Sequence, residues 1–107
     1  MPIKNYIFTV YAIRVKMVIV NLITDFELPF VFSLKQRRKI LNSIKDRVKK
    51  FNVSVLDISG EYPKEASLAL VYAAHNEKQA AEIRRNIEEF LFKNFPEIEF
   101  FFDIEII

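Results

Sequence analysis

The chain has no cysteine and no tryptophan, and only one glycine and one histidine among its 107 residues. Without cysteine there is no disulfide framework, no thiolate for a metal and no thiol nucleophile. The redox compartment is left unmarked, with a reducing cytoplasm as the default. A single glycine excludes a glycine-rich phosphate loop, which needs several positions free of a Cβ where backbone amides approach the phosphates. Nucleotide hydrolysis therefore has no foothold. The lone histidine, His75, has no serine or carboxylate at a spacing that suggests a catalytic pair, and it reads as a polar residue at a strand end rather than a general base. Long hydrophobic runs are also lacking. Tyr6 to Ile13 is the apolar stretch of the N-terminal region, too short to cross a bilayer, and Arg14 and Lys16 follow it where a signal peptide would place a small-residue cleavage site. Neither export nor membrane insertion is expected.

What is present suits one domain with a proper core: 51% of the residues are apolar and 28% charged. The net charge of +2 conceals an asymmetry, because residues 1–50 carry 11 basic and 3 acidic side chains while residues 51–107 carry 5 and 11. The molecule should be electrostatically two-sided, drawing a phosphate-bearing partner to one side only.

The most informative stretch is Ser33 to Val55, SLKQRRKILNSIKDRVKKFNVSV, a capped helix running into a strand. Ser33 and Gln36 stand at the spacing of a capping box. Leu34, Ile40, Leu41, Ile44, Val48 and Phe51 recur at three- and four-residue steps and form one apolar stripe, expected to be buried. Lys35, Arg38, Asn42, Lys45 and Lys49 form a second, cationic stripe, flanked by Lys39. Asp46 is the only acid against eight Lys and Arg. A solvent-facing helix often carries Lys and Arg for solubility alone. Here the near absence of acids removes the alternating i, i+4 pairs that such a face shows, so a polyanionic partner competes with that plain reading. Arg37 falls by angle on the apolar stripe, and either snorkels past the core edge or anchors a carboxylate.

Before this helix, Val18 to Leu28 alternates with period two, Val18, Val20, Leu22, Phe26 and Leu28 opposing Asn21, Asp25 and Glu27, and Pro29 ends the strand. After it, Asn52 to Ser59 reads as a second strand, Gly60, Tyr62 and Pro63 as a turn, and Leu68 to Ala74 as a sheet-centre strand. Asn76, with Gln79, caps a second helix whose buried stripe is Ala80, Ile83, Ile87, Phe90 and Leu91. Pro96 stops it, and Ile98 to Ile106 alternates again. The order strand, helix, strand, strand, helix, strand is the ferredoxin-like βαββαβ arrangement, an α+β sandwich with two helices on one face of a four-stranded antiparallel sheet. The other face stays open. It should gather Asp25 and Glu27 with Glu99, Asp103 and Glu105, which are read as the polar side of a half-exposed sheet rather than a cation site. Those acids, with Phe101 as the only aromatic among them, would repel the phosphates of an RNA laid on the sheet.

In its Ser33 to Val55 stretch the chain resembles the YlxP family, small bacterial proteins of unassigned biochemical function with a ferredoxin-like fold, whose first helix opens on a similar S-L-K-x-x-R-R block and closes on F-N-V-S-V. The resemblance extends over residues 17 to 107, with Met17 falling where such proteins usually begin. Residues 1 to 16 are then an extension or a misassigned start. Where many relatives resemble D-L-W-Q-R-A, this chain has Gly60 to Ala66, GEYPKEA, one residue shorter. The resemblance implies, through neighbouring translation and ribosome-assembly genes, an RNA or ribosomal-subunit partner.

The expectation is therefore a non-enzymatic binding module without cofactor or metal, using Lys35, Arg38, Lys39, Lys45 and Lys49 on nucleic acid, with Arg37 and Asn42 as uncertain members. The alternative is a protein-interaction module, such as a homodimer through a sheet edge or the open face.

Overall fold

The computed structural model describes residues 17–107, and the readings made above for residues 1 to 16 lie outside them. The elements are β1 (Val18–Glu27), α1 (Leu34–Val48) extended by a 3₁₀ turn (Lys49–Phe51), β2 (Ser54–Asp57), β3 (Glu65–Ala74), α2 (Glu77–Asn94) and β4 (Glu99–Ile106). All strand pairings are antiparallel and the sheet order is β2-β3-β1-β4, which is the ferredoxin-like topology expected from the period-two and period-3.6 patterns.

Parity governs which side chains meet the helices. Even-numbered Val20, Leu22, Phe26, Leu68, Leu70, Tyr72 and Phe100 form one buried cluster with Leu41, Ile44 and Val48 of α1 and Ala80, Ile87 and Leu91 of α2. Phe26 of β1 meets Phe100 of β4, opposite it in the ladder, with ring centroids 5.2 Å apart. Both helices begin at caps: Gln36 N–H donates to Ser33 Oγ at 3.1 Å, and Gln79 N–H donates to Asn76 Oδ1 at 2.8 Å. The returning glutamine side chains bond one residue before the cap, at the amides of Phe32 and His75, so each forms an enlarged version of the capping box.

Three expectations need correction. The second strand is only Ser54–Asp57, not Asn52 to Ser59. Asn52 is spent on a left-handed turn, φ 59° and ψ 46°, that closes the 3₁₀ segment, and the Ser59 amide turns back to the Asp57 carboxylate at 2.9 Å. The third strand starts three residues early, at Glu65, because β1 offers it partners as far as Glu27. Finally, Leu34 of the expected buried stripe is 43% exposed, and Ile104 and Ile106, though on the helix side as their parity implies, are 40% and 53% exposed. Leu34 is the first residue of α1. Ile104 and Ile106 lie on the helix side of β4, but α2 packs over β1 and β3 and leaves the far half of β4 uncovered. No helix among the described residues is long and apolar enough to cross a membrane.

Candidate nucleic-acid interface

The surface of interest is built on α1. Burying Leu41, Ile44 and Val48 under one side of the helix turns Lys35, Arg38, Lys39, Asn42 and Lys49 to solvent, while Lys45 is half-buried. The structure therefore brings the expected residues to one outer face, without a uniform charge along it. Toward its end, Lys49 Nζ lies 3.7 Å from Asp46, and Lys45 acts on Asp57 of β2. In the first two turns, Lys35, Arg38 and Lys39 have no carboxylate within salt-bridge distance among the described residues. The first turn contains no acid either, so the positive end of the helix dipole is uncompensated there.

Arg37 follows neither course left open by its angle. It is 9% exposed, and its guanidinium donates to three backbone carbonyls: those of Gly60 at 2.8 Å and Tyr62 at 2.9 Å in the loop between β2 and β3, and that of Glu65, the first residue of β3, at 2.9 Å. A fork of five donors suits a turn whose carbonyls converge. Arg37 is thus removed from the candidate nucleic-acid contacts and becomes the tie between α1 and that loop. Its charge also reaches Asp57. Burial alone would raise the Asp57 carboxyl, but the side chain and amide of Ser59, with Arg37 and Lys45, outweigh that and hold it below the usual 3.8.

Other cations of this region are committed to packing. The Arg47 guanidinium stacks 5.0 Å from the centroid of Phe95, and Lys50 Nζ lies 3.9 Å from that of Phe90. Aromatic groups stand exposed at the other end. Phe32, immediately before the Ser33 cap, is 77% exposed, with Phe30 and Tyr62 also exposed. Lys64 Nζ lies 4.0 Å from the Phe32 centroid and donates to the Pro29 carbonyl at 2.5 Å. Sequence reasoning missed Phe32 and Lys64 as a pair because 31 intervening residues separate them. The only local signal was an aromatic next to a helix cap.

His75 borders a cavity of about 460 Å³ with Met17, Phe51, Asn52, Ala73, Ala74, Gln79 and Ile83, a lining without carboxylate or hydroxyl. A second cavity, about 370 Å³, opens on the sheet face between Asp25, Glu27, Glu61, Tyr62, Glu65 and Phe101, where the Ser67 hydroxyl donates to the Asp25 carboxylate. No group of three or more His, Asp or Glu side chains arranged to hold a metal ion occurs among the described residues.

Compared with known proteins, the chain matches a family model described as "Protein of unknown function (DUF503)" over residues 19–104. Among curated proteins none matches. Among solved structures, a de novo designed protein with a ferredoxin fold is similar at 16% identity and a TM-score of 0.54, over 82% of this chain and 85% of that one. A putative PII-like signaling protein from Thermus thermophilus is 15% identical with a TM-score of 0.45, over 86% and 89% of the two chains. At these identities the designed protein supports the fold alone.

Proposed function

We propose that this chain, which belongs to the family described as Protein of unknown function (DUF503), is a non-catalytic module that binds structured RNA through the first two turns of α1 and the loop before them. One observation carries the reading. Lys35, Arg38 and Lys39 are exposed, with no carboxylate partner among the described residues, near the exposed side chain of Phe32, at a helix start with no acid in its first turn. Cations spaced along a helix at about 1.5 Å rise per residue follow a phosphate backbone, and an adjacent aromatic gives an unpaired base a surface to stack on. A purely solubilising face would not need Phe32 in the open. The resemblance of residues 17 to 107 to the YlxP family implies an RNA or ribosomal-subunit partner, which agrees with this reading.

The experiment is fluorescence anisotropy of a labelled RNA hairpin at low and near-physiological salt. It compares the chain with a Lys35, Arg38 and Lys39 to Glu variant and with a Lys45 and Lys49 to Glu variant. Binding should weaken with salt, as expected for released counterions, and should be lost in the first variant. The second should weaken it less, because Asp57 and Asp46 already act on those two lysines. No binding at low salt, or equal loss in both variants, overturns the reading.

A further inference from the structure

The RNA reading leaves unexplained the opposite edge of the molecule, where β4 closes the sheet without covering itself. No described strand pairs with its outer side. The Ile107 amide donates to the Ile19 carbonyl at 2.8 Å, and bonding in an antiparallel ladder alternates residue by residue. The odd residues of β4 therefore bond inward to β1, and Phe100, Phe102, Ile104 and Ile106 turn their N–H and C=O groups outward. This row is eight residues of strand with no proline to blunt it.

The two faces of that edge differ in chemistry. On the helix side, Ile104 and Ile106 stand open next to a groove of about 320 Å³ shared with Val20, Ala80, Ala81 and Arg84. On the open side, Glu99, Asp103 and Glu105 are exposed around Phe101, and no described residue of that face is a lysine or arginine. A second copy of the chain is a poor occupant. In an antiparallel pair opposite residues share a face, so a two-fold axis on any residue from Phe101 to Ile104 sets two of these acids directly against each other. Opposed like charges destabilise a strand pair.

We propose that the outer edge of β4 accepts a strand from a partner protein, one that alternates apolar residues with lysine or arginine. Its backbone completes the ladder at Phe100, Phe102, Ile104 and Ile106. Its apolar side chains cover Ile104, Ile106 and the groove beside α2, and its cations meet Glu99, Asp103 and Glu105. Strand addition takes its affinity from the main chain and its selectivity from the alternating side chains. The surface lies apart from the α1 face, so it stands or falls independently of the RNA reading.

The test uses the full chain and two synthetic ten-residue peptides, isoleucine alternating with lysine and isoleucine alternating with glutamate, each N-methylated along one edge so that it cannot stack on itself. Amide hydrogen exchange of the free and peptide-bound protein is followed residue by residue. The lysine peptide should slow exchange at Phe100, Phe102, Ile104 and Ile106 by roughly tenfold or more, and the glutamate peptide should not. An Asp103→Lys, Glu105→Lys variant should reverse the preference. Equal effects of both peptides, or binding that leaves those four amides unprotected, overturns the proposal. So does protection already present without peptide, whether it grows with protein concentration, marking a second copy, or disappears on removal of residues 1–16, marking the chain's own N-terminal residues.

Discussion

Arg37 Nη2 donates to the carbonyl of Gly60 at 2.8 Å, across 23 residues of sequence, and with two further bonds, to Tyr62 and Glu65, it converts a buried charge into a fastening between α1 and the connection from β2 into β3. Removing the side chain takes a donor from all three carbonyls, of which Tyr62 keeps only the Glu65 amide at 3.1 Å. Arg37→Ala should cost about 3 kcal/mol of stability, and Arg37→Lys should recover only part of it, since an ammonium cannot present the planar fork. Urea unfolding of the three proteins measures this. A loss under about 1 kcal/mol would mean that water replaces the bonds.

The Asp57 carboxyl is held below 3.8 in the folded chain, so it remains ionised where an unfolded chain would take up a proton. Its contribution to stability is complete above the ordinary carboxylate value and is lost as pH falls through the folded one. The urea midpoint of the wild type should fall between about pH 6 and about pH 3 more steeply than that of Asp57→Asn. Parallel curves for the two proteins would remove Asp57 from the acid response.

Asn52 adopts a left-handed conformation at φ 59°. Asn52→Gly should leave stability unchanged or slightly raised, whereas Asn52→Val should cost about 1 kcal/mol or more, because a branched Cβ crowds the carbonyl in that region. Thermal melts of the two variants suffice to check the order.

Phe32 is 77% exposed and contributes little to the core. Phe32→Ala should melt within a few degrees of the wild type. If the aromatic stacks on a base, RNA affinity should fall about tenfold, in line with roughly 1–3 kcal/mol for one stacked base. An unchanged affinity would confine any binding to the cations.

Burial alternation made the sheet legible. Val20, Leu22, Phe26 and Phe100 announce their face by parity, and Ser33 and Asn76 announce the helix starts. What parity could not convey was coverage. Ile104 and Ile106 have the same pattern as buried residues, yet whether α2 reaches them depends on how the helix crosses the sheet. Arg37 was misjudged for a related reason: its helical angle placed it correctly against the interior, but its partners are backbone carbonyls, which leave no trace in side-chain sequence. The outer face of α1 was readable as cationic. The electrostatic pull between Lys45 and Asp57 was not, since Asp57 comes from a strand separated from the helix by a turn.

The sheet has α1 with its solvent-facing cations on one side and Asp25, Glu27, Glu99, Asp103 and Glu105 on the other. Charges so divided give the folded chain a large permanent electric moment along the sheet normal, out of proportion to a net charge of +2. At neutral pH the intact protein should then be retained by both cation and anion exchangers, meeting each resin with a different side. Unfolding mixes the two sides, and that double retention should vanish with it.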